Sequence, residues 1–178
     1  MRKLTMEELG RITPEGFKEK KKSPLIMLLD NVRSGMNVGS AFRTADAFAL
    51  QKVFLCGITA QPPHREILKT ALGATESMDW EYSDDPVKTI KMMQNNGIQV
   101  FAVEQAEGSV FLNEFKTTPG TTYALVFGNE VEGVSEEVME VVNGCIEIPQ
   151  FGTKHSLNIA VSIGIVVWDV FSKLTFGK

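Results

Sequence analysis

An almost wholly apolar stretch near the end of the chain, Cys145–Phe171, most constrains the fold. It opens with an alternating segment, Cys145–Pro149, that is typical of a strand ended by proline, which lacks a backbone donor. Gln150–His155 reads as a loop, and we expect a helix from Leu157 with Ser156 as its N-cap. Apolar residues surround this helix, which predicts burial on most faces by the domain or by a second subunit.

Two polar side chains, Ser156 and Asn158, stand where this helix is expected to begin, beside the loop. The first backbone N–H groups of a helix have no partner within it, so they face the same loop. A loop and a helix start that are held by a buried helix make a favourable place for a small ligand.

Strand and helix patterns alternate along the chain. Predicted strands cover residues 25–29, 52–58, 78–82, 98–103, 123–127 and 145–149, and predicted helices cover 36–50, 65–73, 86–96, 135–142 (capped by Ser135) and the stretch from 157 onward. This alternation predicts an α/β fold with a mostly parallel sheet and helices on both faces. No repeat or long linker divides the 178 residues, so we expect one domain, 1–178.

Composition excludes several classes of protein. Charged and apolar fractions of 22% and 43% are those of an ordinary soluble domain. The C-terminal apolar run is interrupted by Ser162, Gly164 and Asp169, so no membrane span is predicted, and the N-terminus lacks an apolar signal segment. Spacing alone leaves a disulfide between Cys56 and Cys145 open, but without an export signal we expect free thiols in a reducing cytoplasm. Two cysteines and two histidines without ligand spacing predict no metal site.

Charge is unevenly distributed, although the net charge is only −4. Residues 1–22 contain seven basic and four acidic side chains, a net of +3, which leaves −7 for the remainder. A basic N-terminal helical arm on an acidic body could contact phosphates. From charge alone, however, a solvated helix with Lys–Glu pairs is favoured.

The first of three loops at predicted strand ends leads into the helix at 36–50. Ligands of parallel sheets bind at the carboxyl ends of the strands. On a helical wheel Arg43 points away from the apolar stripe, with Gly39 among its small neighbours, and its guanidinium suits a phosphate. Asn37 adds a neutral donor and acceptor near the helix start. A surface ion pair between Arg43 and Asp46 is an equally weighted alternative.

The second loop, Gly128–Val134, follows an apolar strand. Gly128 and Gly133 bracket a tight turn whose backbone can approach a ligand closely. The segment is not GxGxxG, and no Walker motif occurs in the chain, so the usual modes of nucleotide binding are unsupported. Taken alone, the segment is typical of a connection between a strand and a helix.

Three motifs taken together resemble those of the SpoU/TrmH family. They are Asn37-x-Gly-x-x-x-Arg43, FGNExxG at 127–133 and IPxxGxxxSLN at 148–158, in register over roughly residues 25–171. Members of this family are S-adenosylmethionine-dependent RNA ribose 2′-O-methyltransferases of the SPOUT superfamily. The resemblance implies a C-terminal trefoil knot in the sheet, S-adenosyl-L-methionine bound in that knot, and a homodimer in which the last helix covers both knot and partner.

The resemblance also implies the site residues. The positions expected to contact the cofactor are Val103, Glu104, Gly128, Ile148, Ser156 and Leu157. The residues expected to carry methyl transfer are Asn37, Arg43, Glu130 and Asn158. Arg43 would clamp an RNA phosphate and polarise the 2′-hydroxyl, because a guanidinium with a pKa above about 12 is a poor base. The family motif fixes no role for His155, which is expected on the surface.

The substrate is the least determined feature. With no room for a separate RNA-recognition domain, RNA would be held by residues 1–22 and by Arg33, Arg43 and Arg65 around the cleft, and tRNA is slightly favoured over rRNA. Two other classes stay open. One is a catalytically silent RNA-binding member of the same fold, and the other is a Rossmann-like small-molecule enzyme, which the missing glycine fingerprint disfavours.

Overall fold

A computed structural model describes residues 1–5, 7–10, 12–154 and 156–177. Seven strands form one sheet: β1 Leu25–Asp30, β2 Lys52–Cys56, β3 Trp80–Ser83, β4 Gln99–Val103, β5 Val110–Phe111, β6 Tyr123–Phe127 and β7 Gly144–Glu147. Their order in space is β3-β2-β1-β6-β4-β7-β5, and every neighbouring pair is parallel. The prediction of a parallel sheet is confirmed.

Helices cover both faces of the sheet. Their bounds are α1 Pro14–Glu19, α2 Gly35–Ala47, α3 Arg65–Ala71, α4 Ala74–Ser77, α5 Pro86–Asn95, α6 Glu136–Met139 and α7 Ile159–Phe176. Alternate residues of β1 point to opposite faces, as the pleat requires. Leu25, Met27 and Leu29 join one core with α1 to α4 and α7, while Ile26 and Leu28 join a second core with α5 and α6.

Strand β7 lies between β4 and β5, which precede it in the chain. Val103 at the end of β4 and Val110 at the start of β5 both pair with the same residue, Ile146 of β7. Residues 104–109 therefore pass from one side of β7 to the other at its carboxyl end. The chain also leaves β7 at this carboxyl end, so it starts toward α7 next to the short arch.

Several predicted boundaries are wrong for local reasons. The helix predicted at 65–73 ends at Ala71, because Leu72 and Gly73 adopt φ angles of 50° and 88°, and α4 follows separately. The second strand ends at Cys56, because Gly57 turns the chain with a φ of 60°. Helix α2 spans 35–47 instead of 36–50, and α6 ends at 139 instead of 142.

Of the two serines expected to cap helices, only Ser135 stands at an N-cap position. Asn158, not Ser156, is the N-cap of α7, and its side-chain oxygen accepts from the Ala160 N–H at 2.9 Å. Helix α7 therefore starts two residues later than predicted. Ser135 is the N-cap residue of α6, as predicted, but its hydroxyl makes no hydrogen bond to that helix and donates instead to the buried carboxylate of Asp30 at 2.8 Å.

Helix α7 is only half covered by its own chain. Ile163, Val166, Val167 and Val170 are fully buried, whereas Val161, Ile165 and Trp168 are 50%, 38% and 52% exposed. Burial of most faces by the domain itself is therefore wrong, and burial by a second subunit stays a prediction. By length and composition α7 could also cross a membrane, contrary to the sequence expectation. That match is weak evidence, because the core helices of soluble proteins pass the same test.

The N-terminal arm is partly docked on the domain. Phe17 of α1 is buried, and Lys22 donates to its carbonyl oxygen at 2.7 Å while lying 3.1 Å from its ring centroid. Because this segment leads directly into the first residue of β1, α1 and the lysines after it lie at the amino edge of the sheet. Ligand sites of parallel sheets lie at the opposite, carboxyl edge.

Candidate active site

A cleft of about 620 Å³ opens at the carboxyl edge of the sheet, where β4, β6 and β7 end. All six residues predicted to contact a cofactor line it: Val103, Glu104, Gly128, Ile148, Ser156 and Leu157. Two residues predicted to act in methyl transfer, Glu130 and Asn158, line it as well. The cleft thus brings together residues from four separate segments of the chain.

The loop from Gly128 to Val134 has a shape that only glycine permits at two positions. A Cβ atom on Gly128 would lie 2.1 Å from the backbone of Gly133 and of Val134, and Gly133 itself has a φ of 72°. Asn129 and Gly133 exchange two backbone hydrogen bonds of 2.8 and 3.0 Å. The predicted tight turn is confirmed, and it exposes backbone groups to the cleft.

Asn129 organises this loop, a role that the sequence analysis missed. Its side-chain oxygen accepts from the N–H groups of Val131 and Glu132 at 2.9 and 3.2 Å. Its amide nitrogen donates to the backbone oxygen of Asn31 at 2.8 Å, which ties the loop after β6 to the loop after β1. The signal in the sequence was an asparagine inside a glycine-bracketed turn, where such side chains often bond nearby backbone.

Asp30 is a second organising residue that the sequence analysis did not single out. Its carboxylate is fully buried at the end of β1. One oxygen accepts from the N–H and the hydroxyl of Ser135 at 2.9 and 2.8 Å, and the other accepts from the amide of Asn31 at 2.9 Å. A buried carboxylate needs such donors, and here they connect β1 with the start of α6.

Glu130 reaches from the β6 loop to the start of α2. Its carboxylate accepts from the backbone N–H groups of Arg33 and Ser34 at 3.2 and 3.1 Å and from the side-chain amide of Asn37 at 2.9 Å. Burial opposes ionisation of this group, but the hydrogen bonds from Asn37 and from the backbone outweigh it and hold the pKa of Glu130 below its ordinary value. A negative charge is also favoured at a helix N-terminus.

Asn37 connects Glu130 to the third motif. The amide of Asn158 donates to the side-chain oxygen of Asn37 at 3.4 Å, a long hydrogen bond. Asn158 also holds the first turn of α7, so a continuous chain of polar contacts runs from the β6 loop through α2 to α7. Three of the four residues predicted to act in methyl transfer are therefore linked, with Asn37 between Glu130 and Asn158.

Arg43 lies apart from this cluster. It follows Asn37 by six residues, about 9 Å along the helix axis, and its side chain is exposed. Within the described part of the chain its guanidinium has no hydrogen bond or ion pair. The alternative pair with Asp46 is not formed, since Asp46 instead accepts from the hydroxyl of Ser77 at 2.6 Å.

The space beside Arg43 is smaller than the sequence suggested. A Cβ atom on Gly39 would lie 2.0 Å from the hydroxyl oxygen of Thr70 and 2.5 Å from the carbonyl oxygen of Ile67. Gly39 therefore permits the close approach of α3 and leaves no room there for a ligand. Arg43, one turn after Gly39, is nevertheless exposed to solvent.

Glu104 both lines the cleft and holds neighbouring backbone. It lines the cleft at the end of β4, and its carboxylate also accepts from the N–H groups of Gln105 and Val134 at 2.9 and 3.1 Å. His155, the loop histidine without a predicted role, lies outside the described residues. Among the residues that the structure describes, no cluster of three or more histidine, cysteine or acidic side chains could hold a metal ion.

Comparison with known proteins shows where the chain belongs. The model of the SpoU rRNA methylase family matches residues 24–168. A tRNA (guanosine(18)-2′-O)-methyltransferase of Aquifex aeolicus is 33% identical over 157 residues, which are 85% of this chain and 70% of that protein.

Solved structures agree in fold. The A. aeolicus TrmH/SpoU tRNA modifying enzyme superposes with a TM-score of 0.79 at 28% identity, over 90% of this chain and 81% of that one. An AdoMet-bound rRNA methyltransferase from Sinorhizobium meliloti gives a TM-score of 0.79 at 27% identity, over 92% and 61%. As the three motifs predicted, the chain belongs to the SpoU rRNA methylase family.

Proposed function

We propose that this chain transfers a methyl group from S-adenosyl-L-methionine to a ribose 2′-hydroxyl of structured RNA in the cytoplasm. The observation that carries this function is the chain of contacts among Glu130, Asn37 and Asn158, which joins three separate motifs at one cleft. Relatives are named as methyltransferases of tRNA and of rRNA, and one solved relative is bound to AdoMet. A tRNA substrate is slightly favoured over rRNA.

The cleft fits a cofactor of this size and chemistry. Its volume lies within the range of about 300–1,000 Å³ that small-molecule sites occupy. The loop that follows β6 lines the cleft and offers main-chain polar groups to the adenine and ribose, and Ile148 and Leu157 offer apolar cover. The negative charges of Glu104 and Glu130 suit a ligand that carries a positive charge, as this cofactor does. When bound, S-adenosylmethionine would supply a methyl group activated by its positively charged sulfur.

The residues of the chain then position the RNA. Arg43 binds an RNA phosphate and polarises the 2′-hydroxyl, and its exposed guanidinium is free of ion pairs with other described residues. Asn37 and Glu130 are already engaged with each other, so they act by fixing the start of α2. This division separates the group that orients the RNA from the groups that hold the cofactor cleft.

The proposed enzyme is a homodimer that packs through α7. Val161, Ile165 and Trp168 follow one another at spacings of four and three residues, so they form one exposed apolar stripe. The Trp168 ring also packs, tilted, against Phe48 at 5.7 Å between ring centroids, which extends the stripe to the end of α2. A second copy that covers this surface explains why so apolar a helix is left half exposed.

The proposed fold contains a C-terminal trefoil knot within one methyltransferase domain, residues 1–178. What supports it is the arch of residues 104–109 around the carboxyl end of β7. The Glu104 N–H donates to the carbonyl oxygen of Ile146, and the Leu112 N–H donates to the carbonyl oxygen of Glu147. The chain is therefore hydrogen-bonded to β7 on both sides of the arch. Parallel strands of one sheet ordinarily need a much longer connection.

Methyl transfer from labelled S-adenosylmethionine to separate pools of total tRNA and total rRNA tests this function. The RNA comes from a host that lacks the gene, so that its target is unmodified. Signal in one pool identifies the substrate class. Binding of S-adenosylhomocysteine without transfer to either pool would instead favour the silent RNA-binding member, and binding of NAD in its place would favour a Rossmann-like enzyme.

A further inference from the structure

Charge divides this chain into a basic and an acidic part. Residues 31–73, which contain α2 and α3, have five basic and two acidic side chains. Residues 74–178 have six basic and fifteen acidic side chains. Because RNA is a polyanion, this separation limits the surfaces over which its backbone can run.

The basic side chains of the first part share one surface. Arg33 lies just before α2, Arg43 lies on α2, and Arg65 and Lys69 lie one turn apart on α3. All four are exposed, and within the described residues none has an ion pair. The fifth, Lys52, is paired with Glu81 at 2.6 Å and is left out. We call these four residues the α2–α3 basic face.

Contacts between the two helices fix this surface. Gly35 at the start of α2 lies against His64, just before α3, and Gly39 lies against Ile67 and Thr70 one turn later. The two helices therefore run side by side in the same direction. The Thr70 hydroxyl adds a 3.2 Å hydrogen bond to the carbonyl oxygen of Met36. These contacts hold α3, on whose solvent side Arg65 and Lys69 lie, beside the start of α2, where Asn37 contacts Glu130 of the cleft.

The other side of the cleft is acidic. Glu132, Glu136, Glu137 and Glu140 are all exposed, in the loop after β6 and in α6. Helix α6 packs on the opposite face of the sheet from α2 and α3. A phosphate backbone that passed these four carboxylates would meet like charges. The lysines that follow α1 are at the amino edge of the sheet, away from the cleft.

We infer that the RNA backbone crosses the α2–α3 basic face and leaves the cleft on that side only. This inference rests on the proposed function and specifies where its substrate lies. Arg43 binds the phosphate nearest the reacting ribose, and Arg65 and Lys69 bind phosphates farther along the RNA. These two residues add affinity without entering the chemistry, and neither is part of the cofactor cleft.

The double variant Arg65→Gln/Lys69→Gln tests this path. The matched control is Lys88→Gln/Lys91→Gln, which removes two exposed lysines from one side of α5, on the opposite face of the sheet. Affinity for total tRNA and total rRNA is measured at KCl concentrations from about 50 to about 300 mM, because binding through phosphate contacts weakens strongly over such a range. S-adenosylhomocysteine binding reports whether each variant is folded.

The α3 variant should bind RNA at least about tenfold more weakly at 100 mM salt, with a salt slope shallower by about 1 to 2. The α5 variant should match wild type, and both should bind S-adenosylhomocysteine normally. Equal losses in the two variants, or no loss in the α3 variant while wild type binds and methylates RNA, would overturn the path and leave the proposed function intact. Wild type that neither binds nor methylates RNA would overturn both.

Discussion

At the residue scale, Glu130 shows how one carboxylate holds the site together. Its bonds to two backbone N–H groups and to Asn37 depend on its negative charge. Because the folded-state pKa is lowered, the stabilisation is present above the ordinary pKa near 4.5 and is lost as the pH falls through the lower folded value. Its partial exposure keeps the contribution to about 1 kcal/mol or less.

Glu130→Gln should therefore lower the free energy of unfolding at pH 7 by more than at an acidic pH, well below 4.5, at which wild-type Glu130 is protonated as well. Urea unfolding at several pH values measures this difference. Methyl transfer should fall at least about tenfold, since the start of α2 loses a charge-assisted anchor. A variant whose destabilisation is the same at both pH values would show that the charge of Glu130 contributes nothing.

Arg43→Ala should abolish methyl transfer while leaving S-adenosylhomocysteine binding nearly unchanged. Arg43 is exposed and does not line the cleft, so its removal leaves the cofactor residues in place. Calorimetry and transfer of a labelled methyl group measure the two properties separately. Arg43→Lys is the control, and it should recover only part of the activity, because an ammonium lacks the planar fork. Loss of cofactor binding in a folded Arg43→Ala protein would refute this division of labour.

The two cysteines should be unreactive in the folded protein. Burial raises the pKa of the Cys56 thiol to about 12, and burial also raises the pKa of Cys145. Since the thiolate is the reactive form, a thiol reagent at pH 8 should label neither residue until the chain is unfolded. Rapid labelling of native protein would mean that β2 or β7 opens readily.

At the scale of elements, the packing of α3 on α2 depends on a missing side chain. A Cβ atom at Gly39 would collide with Thr70 and with the backbone of Ile67. Gly39→Ala should destabilise the protein by about 1–3 kcal/mol, which is the usual cost of overpacking. Gly164→Ala in α7 is the control, because a Cβ atom there meets nothing within 4 Å. Gly164→Ala should stabilise the protein by up to about 1 kcal/mol through helix propensity. Equal effects of Gly39→Ala and Gly164→Ala on the free energy of unfolding in urea would contradict the close packing of α3 on α2.

The exposed stripe of α7 should carry the subunit contact. Ile165→Glu places a charge in the middle of that stripe, so the variant should sediment as a monomer while wild type sediments as a dimer. Met92→Glu on α5 is the control, because Met92 is 46% exposed and lies on the other face of the sheet. It should remain dimeric. A monomeric wild type would exclude the dimer, and a dimeric Ile165→Glu variant would place the subunit contact elsewhere.

At the scale of the whole molecule, periodicity predicted the sheet, its parallel direction and the two covered faces. It could not predict the strand order, because β7 enters between β4 and β5 through pairings distant in the chain. It also missed the ends of helices, where single residues decide. Asn158 and Ser156 are equally good caps by type, and only tertiary contacts with Asn37 distinguish them.

The sequence predicted which residues line the site better than it predicted the contacts among them. Motif positions gave the residues that line the cleft, because all of them lie at strand ends or at a helix start. The supporting residues Asp30 and Asn129 were missed, since their partners Ser135 and Asn31 are about a hundred positions away. The distance of Arg43 from the cleft was also unforeseen, and it favours a role toward RNA instead of toward the cofactor.

One measurement tests the central function most directly. RNA methylated by the wild-type protein with labelled S-adenosylmethionine is digested to nucleosides, which are separated and identified by mass. We expect the label in a single 2′-O-methylated nucleoside from one RNA pool, and none when Arg43→Ala replaces wild type. Label in a base-methylated nucleoside, or equal label with the variant, would contradict transfer to a ribose hydroxyl positioned by Arg43.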